Sequence, residues 1–180
     1  WANMGDRTSI AITGTPGTGK TSLCDALRES YSVISLQNLA EQHGCLGEID
    51  SSDDAAPLDI HQLAEKWHYE GEGFCFIDGH LSHFLEVDAI VILRCHPEQL
   101  KQRLKTRAYS PEKIEANVEW ELLSGTWSEL LEFEIDIPIL ELDTTTSPLE
   151  EIQAEIIEWL NNQCPSLPLE ESSSQAIGWM

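Results

Sequence analysis

Eight consecutive residues constrain this chain more than any others. Gly14-Thr15-Pro16-Gly17-Thr18-Gly19-Lys20-Thr21 satisfies the pattern G-x-x-x-x-G-K-[ST] at every fixed position. An apolar run, 9–12, comes directly before it and a helical run follows, which is the strand, loop and helix context that the pattern requires. Glycines let such a backbone curl until successive N–H groups converge on phosphate oxygens, and the positive end of the following helix adds to the attraction. In that setting Lys20 reaches the β- and γ-phosphates of a nucleoside triphosphate, and the Thr21 hydroxyl completes the shell of a Mg²⁺ ion. The bland alternative is a glycine-rich turn carrying a surface lysine.

Beyond the loop, short apolar runs alternate with longer amphipathic stretches, the pattern of β-α-β units around a mostly parallel sheet, so the fold class is α/β. Strands are predicted at 9–12, 33–36, 74–77, 89–93 and 138–142, each apolar and bounded by turn residues, as strands covered on both faces should be. Helices are predicted near 20–31, 59–69, 97–107, 111–133 and 148–161; Pro97, Pro111 and Pro148 stand where a first turn tolerates proline. At 180 residues the chain has room for one domain with a real core, predicted over 5–163. The acidic stretch 44–57 reads as a mobile loop, 1–4 and 164–180 as terminal extensions, and the tail from Pro165 as a frayed end. Trp120 and Trp127, seven apart in one predicted helix, should share a packed face.

Charge narrows the function. Ten Lys+Arg against 32 Asp+Glu leave a formal net charge of −22, which repels nucleic acid and anionic lipid and excludes a general nucleic-acid coat protein. The five cysteines are odd in number and spread out, with no C-x-x-C pair, which argues against a disulfide framework or structural zinc and for a reduced, cytoplasmic setting. No apolar run approaches the roughly 18 residues of a membrane span, so no membrane partner is expected. Against this background six of the ten cations, Arg94, Lys101, Arg103, Lys105, Arg107 and Lys113, fall within twenty positions. Arg103 and Arg107 share a helix face, as do Lys101 and Lys105, so the row can present a cationic comb to a phosphoryl group, or else pair with neighbouring acids.

A second element accompanies the loop. Phe74-Cys75-Phe76-Ile77-Asp78 is a buried-type strand ending in a carboxylate, the form taken by the second metal-holding element of phosphate-loop enzymes, although strands also end in Asp for turn reasons. His80, two residues on, fits either a proton relay that places water near the γ-phosphate or a cap on the next helix. No guanine-reading N-K-x-D element is present, which leaves a small kinase or an ATPase.

Thr13 to Leu23, Ile77-Asp78-Gly79-His80, Val91-Ile92-Leu93-Arg94, the run Gln102-Arg103-Leu104-Lys105-Thr106-Arg107-Ala108-Tyr109, and Asn117 resemble the adenylate kinase isoenzyme 6 family, the coilin-interacting nuclear ATPase group and its archaeal relatives. That resemblance spans 9–160 and implies an adenylate-kinase-like three-layer fold, a five-stranded parallel sheet of order 2-3-1-4-5 with helices on both faces. It also implies a monophosphate-binding region at 36–59 and a short lid at 106–116. Thr15, Gly17, Thr18, Gly19, Lys20, Thr21 and Ser22 would form the ATP loop and Arg107 the lid arginine; Lys20, Asp78, His80 and Arg107 would be catalytic, with Mg²⁺ on Thr21 and Asp78. Relatives in that family commonly read G-D-L-A-R where this chain reads Gln37-Asn38-Leu39-Ala40-Glu41, so an acid stands where an arginine would hold the phosphate of AMP. Arg94 or Arg103 would then take over that task, with Asn38 and Asp59 beside the monophosphate. The activity implied is adenylate kinase; the alternative is an ATPase that assists small-ribosomal-subunit assembly through a basic ribosomal protein, and would be nuclear in a eukaryote.

Overall fold

A computed structural model describes residues 7–47 and 57–180. Residues 1–6 and 48–56 lie outside the described residues, and with them the terminal extension 1–4 and most of the stretch expected to be a mobile loop.

Five parallel strands form one sheet: β1 (Arg7–Thr13), β2 (Ser32–Ser35), β3 (Gly73–Asp78), β4 (Ala89–Arg94) and β5 (Ile139–Asp143), in the order β2-β3-β1-β4-β5. Around it lie α1 (Lys20–Leu27), α2 (Leu36–Gln42), α3 (Ile60–Lys66), α4 (Pro97–Lys105), α5 (Pro111–Leu122), α6 (Gly125–Glu132), α7 (Leu149–Asn161) and α8 (Leu169–Ser174). The expected strand order and the helical cover on both faces are found.

Alternation along the strands explains the layers. Ile10, Ile12, Ala89, Val91 and Leu93 point to the face covered by Leu23 and Leu27 of α1 and Ile152, Ile156 and Trp159 of α7. Ala11, Ile90 and Ile92 point to the other face, under Leu39, Leu63 and Leu130 of α2, α3 and α6. Each fully buried aliphatic side chain stabilises the fold by roughly 1.5–3 kcal/mol, so both layers are needed. A smaller cluster, Cys95, Leu100, Leu104 and Ile114, ties α4 to α5 beside the phosphate loop. The five cysteines are free thiols and buried. Among the described residues no helix is long and apolar enough to cross a membrane.

Three expectations are corrected. The helix predicted at 111–133 is two helices, because Ser124 adopts a left-handed backbone (φ 54°) and the chain turns there. The two tryptophans therefore separate: Trp127 is buried and donates to Glu141 Oε2 (2.6 Å), whereas Trp120 is 40% exposed. The tail is not frayed. Cys164 and Leu169 are buried, α8 packs on α6, and Ile177 N donates to Glu141 Oε1 (2.8 Å) while Trp179 Nε1 donates to Glu121 Oε1 (3.3 Å).

Candidate active site

The loop leaves β1 at Thr13 and enters α1 at Lys20. Gly14 and Gly17 hold φ of 136° and 94°, and a Cβ on them would stand 2.4 Å from Leu93 O and 2.9 Å from Leu100 Cδ1. Only glycine fits these two positions, which lets the turn lie flat against β4 and α4. The first intrahelical bond of α1 is Leu23 N to Gly19 O, no side chain caps the helix, and its first turn holds no acid. The N–H groups of Lys20, Thr21 and Ser22 thus lack intrahelical partners, which makes an anion-binding end.

Lys20 is 9% exposed, and its ammonium donates to Gly14 O (2.7 Å) and Thr15 O (3.0 Å). Removal from water, opposed by Asp78 and helped by Arg107, brings its pKa down to about 8. Asp78, at the end of β3, has its carboxyl raised by burial, against the pull of Lys20. His80 presents its ring at the surface of the site, yet nearby protein displaces enough water to push it down to about 4, with Lys20 adding to the effect. It is therefore a neutral imidazole near neutral pH. The capping role open to His80 is not the one it takes: the short 3₁₀ turn Ser82–Phe84 has no side-chain cap.

Two cavities flank the loop. One, of about 530 Å³, is lined by the backbone of Gly17, Thr18 and Gly19 with Ser22, Arg103 and Arg107, and has Leu149 and Ile152 as an apolar wall. The other, of about 610 Å³, holds Lys20, Thr21, His80, Arg107, Trp120 and Glu129. Gly17 and Arg107 line both. The Arg107 side chain has no hydrogen bond or ion pair among the described residues.

Several predicted residues are placed elsewhere. Arg94 cannot meet a monophosphate: it is 1% exposed, and its guanidinium is bound to Glu121 Oε1 (2.6 Å) and Glu141 Oε2 (2.9 Å) inside the protein. Arg103 faces the cavity walled by Leu149 and Ile152 and staples the loop to the turn after β5, donating to Gly17 O (3.3 Å) and Thr144 O (2.7 Å). Asp59 is the N-cap of α3 and accepts from Gln62 N, while Asn38 sits exposed on α2; neither lines a cavity beside the loop. The Thr15 hydroxyl turns inward to Glu121 Oε2 (2.6 Å), so only its backbone faces ligand space. Arg103 and Arg107, expected on one helix face, do line one cavity together, whereas Lys101 faces a different one and Arg94 points into the interior, so the whole row does not converge on a single ligand.

No local pattern marks Glu121, which is 2% exposed and accepts from Thr15, Arg94, Cys95 N and Trp179. Nor does one mark Thr144, whose hydroxyl donates to Thr18 O (2.6 Å), or the buried pair of Thr13 Oγ1 and His83 Nδ1 (2.7 Å).

A family model described as an AAA domain matches residues 10–124. Curated relatives carry the description "Putative adenylate kinase": that of Archaeoglobus fulgidus is 44% identical over 144 residues, covering 79% of this chain and 76% of the relative. That of Pyrococcus abyssi is 39% identical over 150 residues (82% and 81%). The chain belongs to this archaeal adenylate kinase family. Solved structures agree with the family on the fold. A deoxyadenosine kinase from M. mycoides with bound dATP superposes with a TM-score of 0.51 at 16% identity, covering 86% of this chain and all of that one, 100%. A gluconokinase from Sinorhizobium meliloti gives 0.53 at 17% identity, covering 94% and 98%. At such identity these two speak for the architecture alone.

Proposed function

We propose that the protein is an ATP-dependent phosphotransferase of the nucleoside-monophosphate kinase type, moving the γ-phosphoryl group of ATP to AMP or a related monophosphate. The observation that carries this reading is the pair of cavities on either side of one phosphate loop, both lined by Gly17 and Arg107. Hydrolysis needs one nucleotide chamber and a water, whereas transfer needs two chambers facing one set of cations. The curated relatives support the same class.

In this mechanism the triphosphate lies along the N–H groups of 17–22, and the Lys20 ammonium leaves the loop carbonyls for the phosphates. The nucleoside occupies the cavity walled by Leu149 and Ile152. Thr21 and Asp78 fit Mg²⁺: a hydroxyl and a carboxylate are hard oxygen donors, and neither makes a side-chain hydrogen bond among the described residues. The ion, when bound, neutralises charge that develops on the phosphate oxygens. Arg107 meets the transferring group from either chamber. An acceptor phosphate is already an anion, so no general base is needed and positioning supplies most of the rate. The segment 106–116 acts as a lid, hinged at Ala108 (φ 56°) between α4 and α5, and its closure excludes water. Neutral His80 orients the acceptor or a water.

One observation favours hydrolysis as a second reading. Arg94 and Arg103 are committed elsewhere, and Glu41 is exposed on the face of α2 that carries Gln37, a residue of the acceptor chamber. In that case water is the acceptor and a basic protein, such as a small-subunit ribosomal protein, is the partner suited to a net charge of −22.

Measuring ADP formation from Mg·ATP with and without each monophosphate separates the two. AMP is expected to accelerate ADP formation; a rate indifferent to every monophosphate removes the kinase reading. Glu41→Arg is expected to lower the acceptor KM about tenfold, the worth of one charge-assisted contact. An unchanged KM takes position 41 out of reach of the acceptor.

A further inference from the structure

We propose that Glu129 is a specificity-determining residue, reading the hydrogen-bond donors of the acceptor nucleoside, and that buried His83 positions it. This inference rests on the phosphotransferase reading. Among the described residues lining the acceptor chamber, Glu129 is the one acid, in company with Lys20, Arg107 and Lys113. A carboxylate there opposes anion binding, so what it can favour is the uncharged, donor-bearing part of a nucleotide: the ribose hydroxyls or an exocyclic base amine.

Its setting supports recognition. The Glu129 side chain is 21% exposed and makes no hydrogen bond among the described residues, leaving its lone pairs for a ligand. Behind it stands His83, whose side chain is 0% exposed and whose Nε2 lies 3.4 Å from Glu129 Oε1 without a full hydrogen bond. The other ring nitrogen, Nδ1, is 2.7 Å from Thr13 Oγ1; with that hydroxyl donating to Nδ1, the ring carries its hydrogen on Nε2, facing Glu129. The imidazole is thereby anchored to the end of β1, one residue before the phosphate loop. Phe84 packs on the imidazole at 4.4 Å between centroids, which fixes its plane. A flat wall completes the chamber: the Trp120 indole rests on Gly125, where a Cβ would come within 2.0 Å of the ring. An aromatic ring and a carboxylate with open lone pairs in one chamber suit a nucleoside better than a bare phosphate.

Steady-state kinetics with AMP, 2′-deoxy-AMP and IMP at saturating Mg·ATP test this in wild type, Glu129→Ala and Glu129→Gln. Acceptor binding is followed in parallel by tryptophan fluorescence. The acceptor KM for AMP should rise about a hundredfold in the alanine variant and about tenfold in the isosteric glutamine, with the KM for ATP unchanged. If the amine is read, wild type discriminates against IMP and the variants do not; if the ribose is read, the same holds for 2′-deoxy-AMP. His83→Leu should raise the acceptor KM alone, and His83→Gln, which keeps an N–H for Glu129, should restore it. An unchanged or lower acceptor KM in both Glu129 variants overturns the proposal, as does a His83→Leu effect that falls equally on ATP. Should no monophosphate support turnover in wild type, the kinase reading fails by itself, and the fluorescence titration of AMP against Glu129→Ala still decides this inference.

Discussion

Lys20→Met is expected to lower ATP turnover by roughly a hundred- to a thousandfold, the effect of removing one preorganised charge from a phosphoryl-transfer site. The ammonium already lies inside the loop, bound to Gly14 O and Thr15 O at 2.7 and 3.0 Å, so a triphosphate trades two carbonyl contacts for phosphate oxygens. Methionine fills a similar volume and leaves those carbonyls facing the chamber without a donor. The fold should survive, because the loop is also held by Thr18 N to Thr15 O and by Thr144 Oγ1 to Thr18 O.

The same residue sets a pH dependence whose sign can be worked out. Burial lowers the pKa of Lys20 to about 8, and it is the charged form that binds phosphate. Below pH 8 most of the free protein is already charged, so affinity for Mg·ATP is full. As pH rises through 8 the free protein loses its proton while the complex, with phosphate beside the ammonium, keeps it. Affinity then falls by up to about tenfold per pH unit, until the raised pKa of the complex is reached. Calorimetric titration from about pH 7 upward should show this fall in wild type and a flat profile in Lys20→Met. A flat wild-type profile, or a methionine variant that binds and turns over ATP as before, would remove Lys20 from the phosphate.

Much of the sheet was legible because its strands are buried on both faces, so each appears as an apolar run between turn residues. The phosphate loop was legible because its glycines are forced by contacts with Leu93 and Leu100 that no other residue permits. Where the reading failed, the cause is distance along the chain. Arg94 belongs to a cluster of cations in sequence, but β4 ends where α5 and β5 bring Glu121 and Glu141 against it, and nothing near Arg94 announces that. Two features carry weak local signals. The Ser124-Gly125 pair marks the break between α5 and α6, and Leu169, Ile177 and Trp179 mark a tail with something to bury. For Thr13, His83 and Glu129 there was no local signal, since each takes its role from partners supplied by other elements.

That buried cluster yields the largest expected effect on stability. Arg94 is 1% exposed, and its five N–H groups meet five acceptors: Glu121 Oε1, Glu121 O, Ser124 Oγ, Glu141 Oε2 and Ile177 O. Arg94→Met keeps most of the volume and removes the charge, stranding two carboxylates that burial disfavours. Breaking one partner of a buried pair costs about 3–5 kcal/mol, and for a chain of this size that lowers Tm by on the order of 10 °C. The tail should loosen with it, because Trp179 stacks over the guanidinium at 5.6 Å and Ile177 is bound through both its N–H and its carbonyl. Loosening should reach the nucleotide too: Glu121 also holds the Thr15 hydroxyl, so losing its anchor frees the phosphate loop and raises the KM for ATP. Thermal melting, hydrogen exchange at 177–179 and ATP kinetics on Arg94→Met measure the three consequences together. A Tm within about 2 °C of wild type would mean that the carboxylates find protons or water without cost, and that the cluster does not hold the loop.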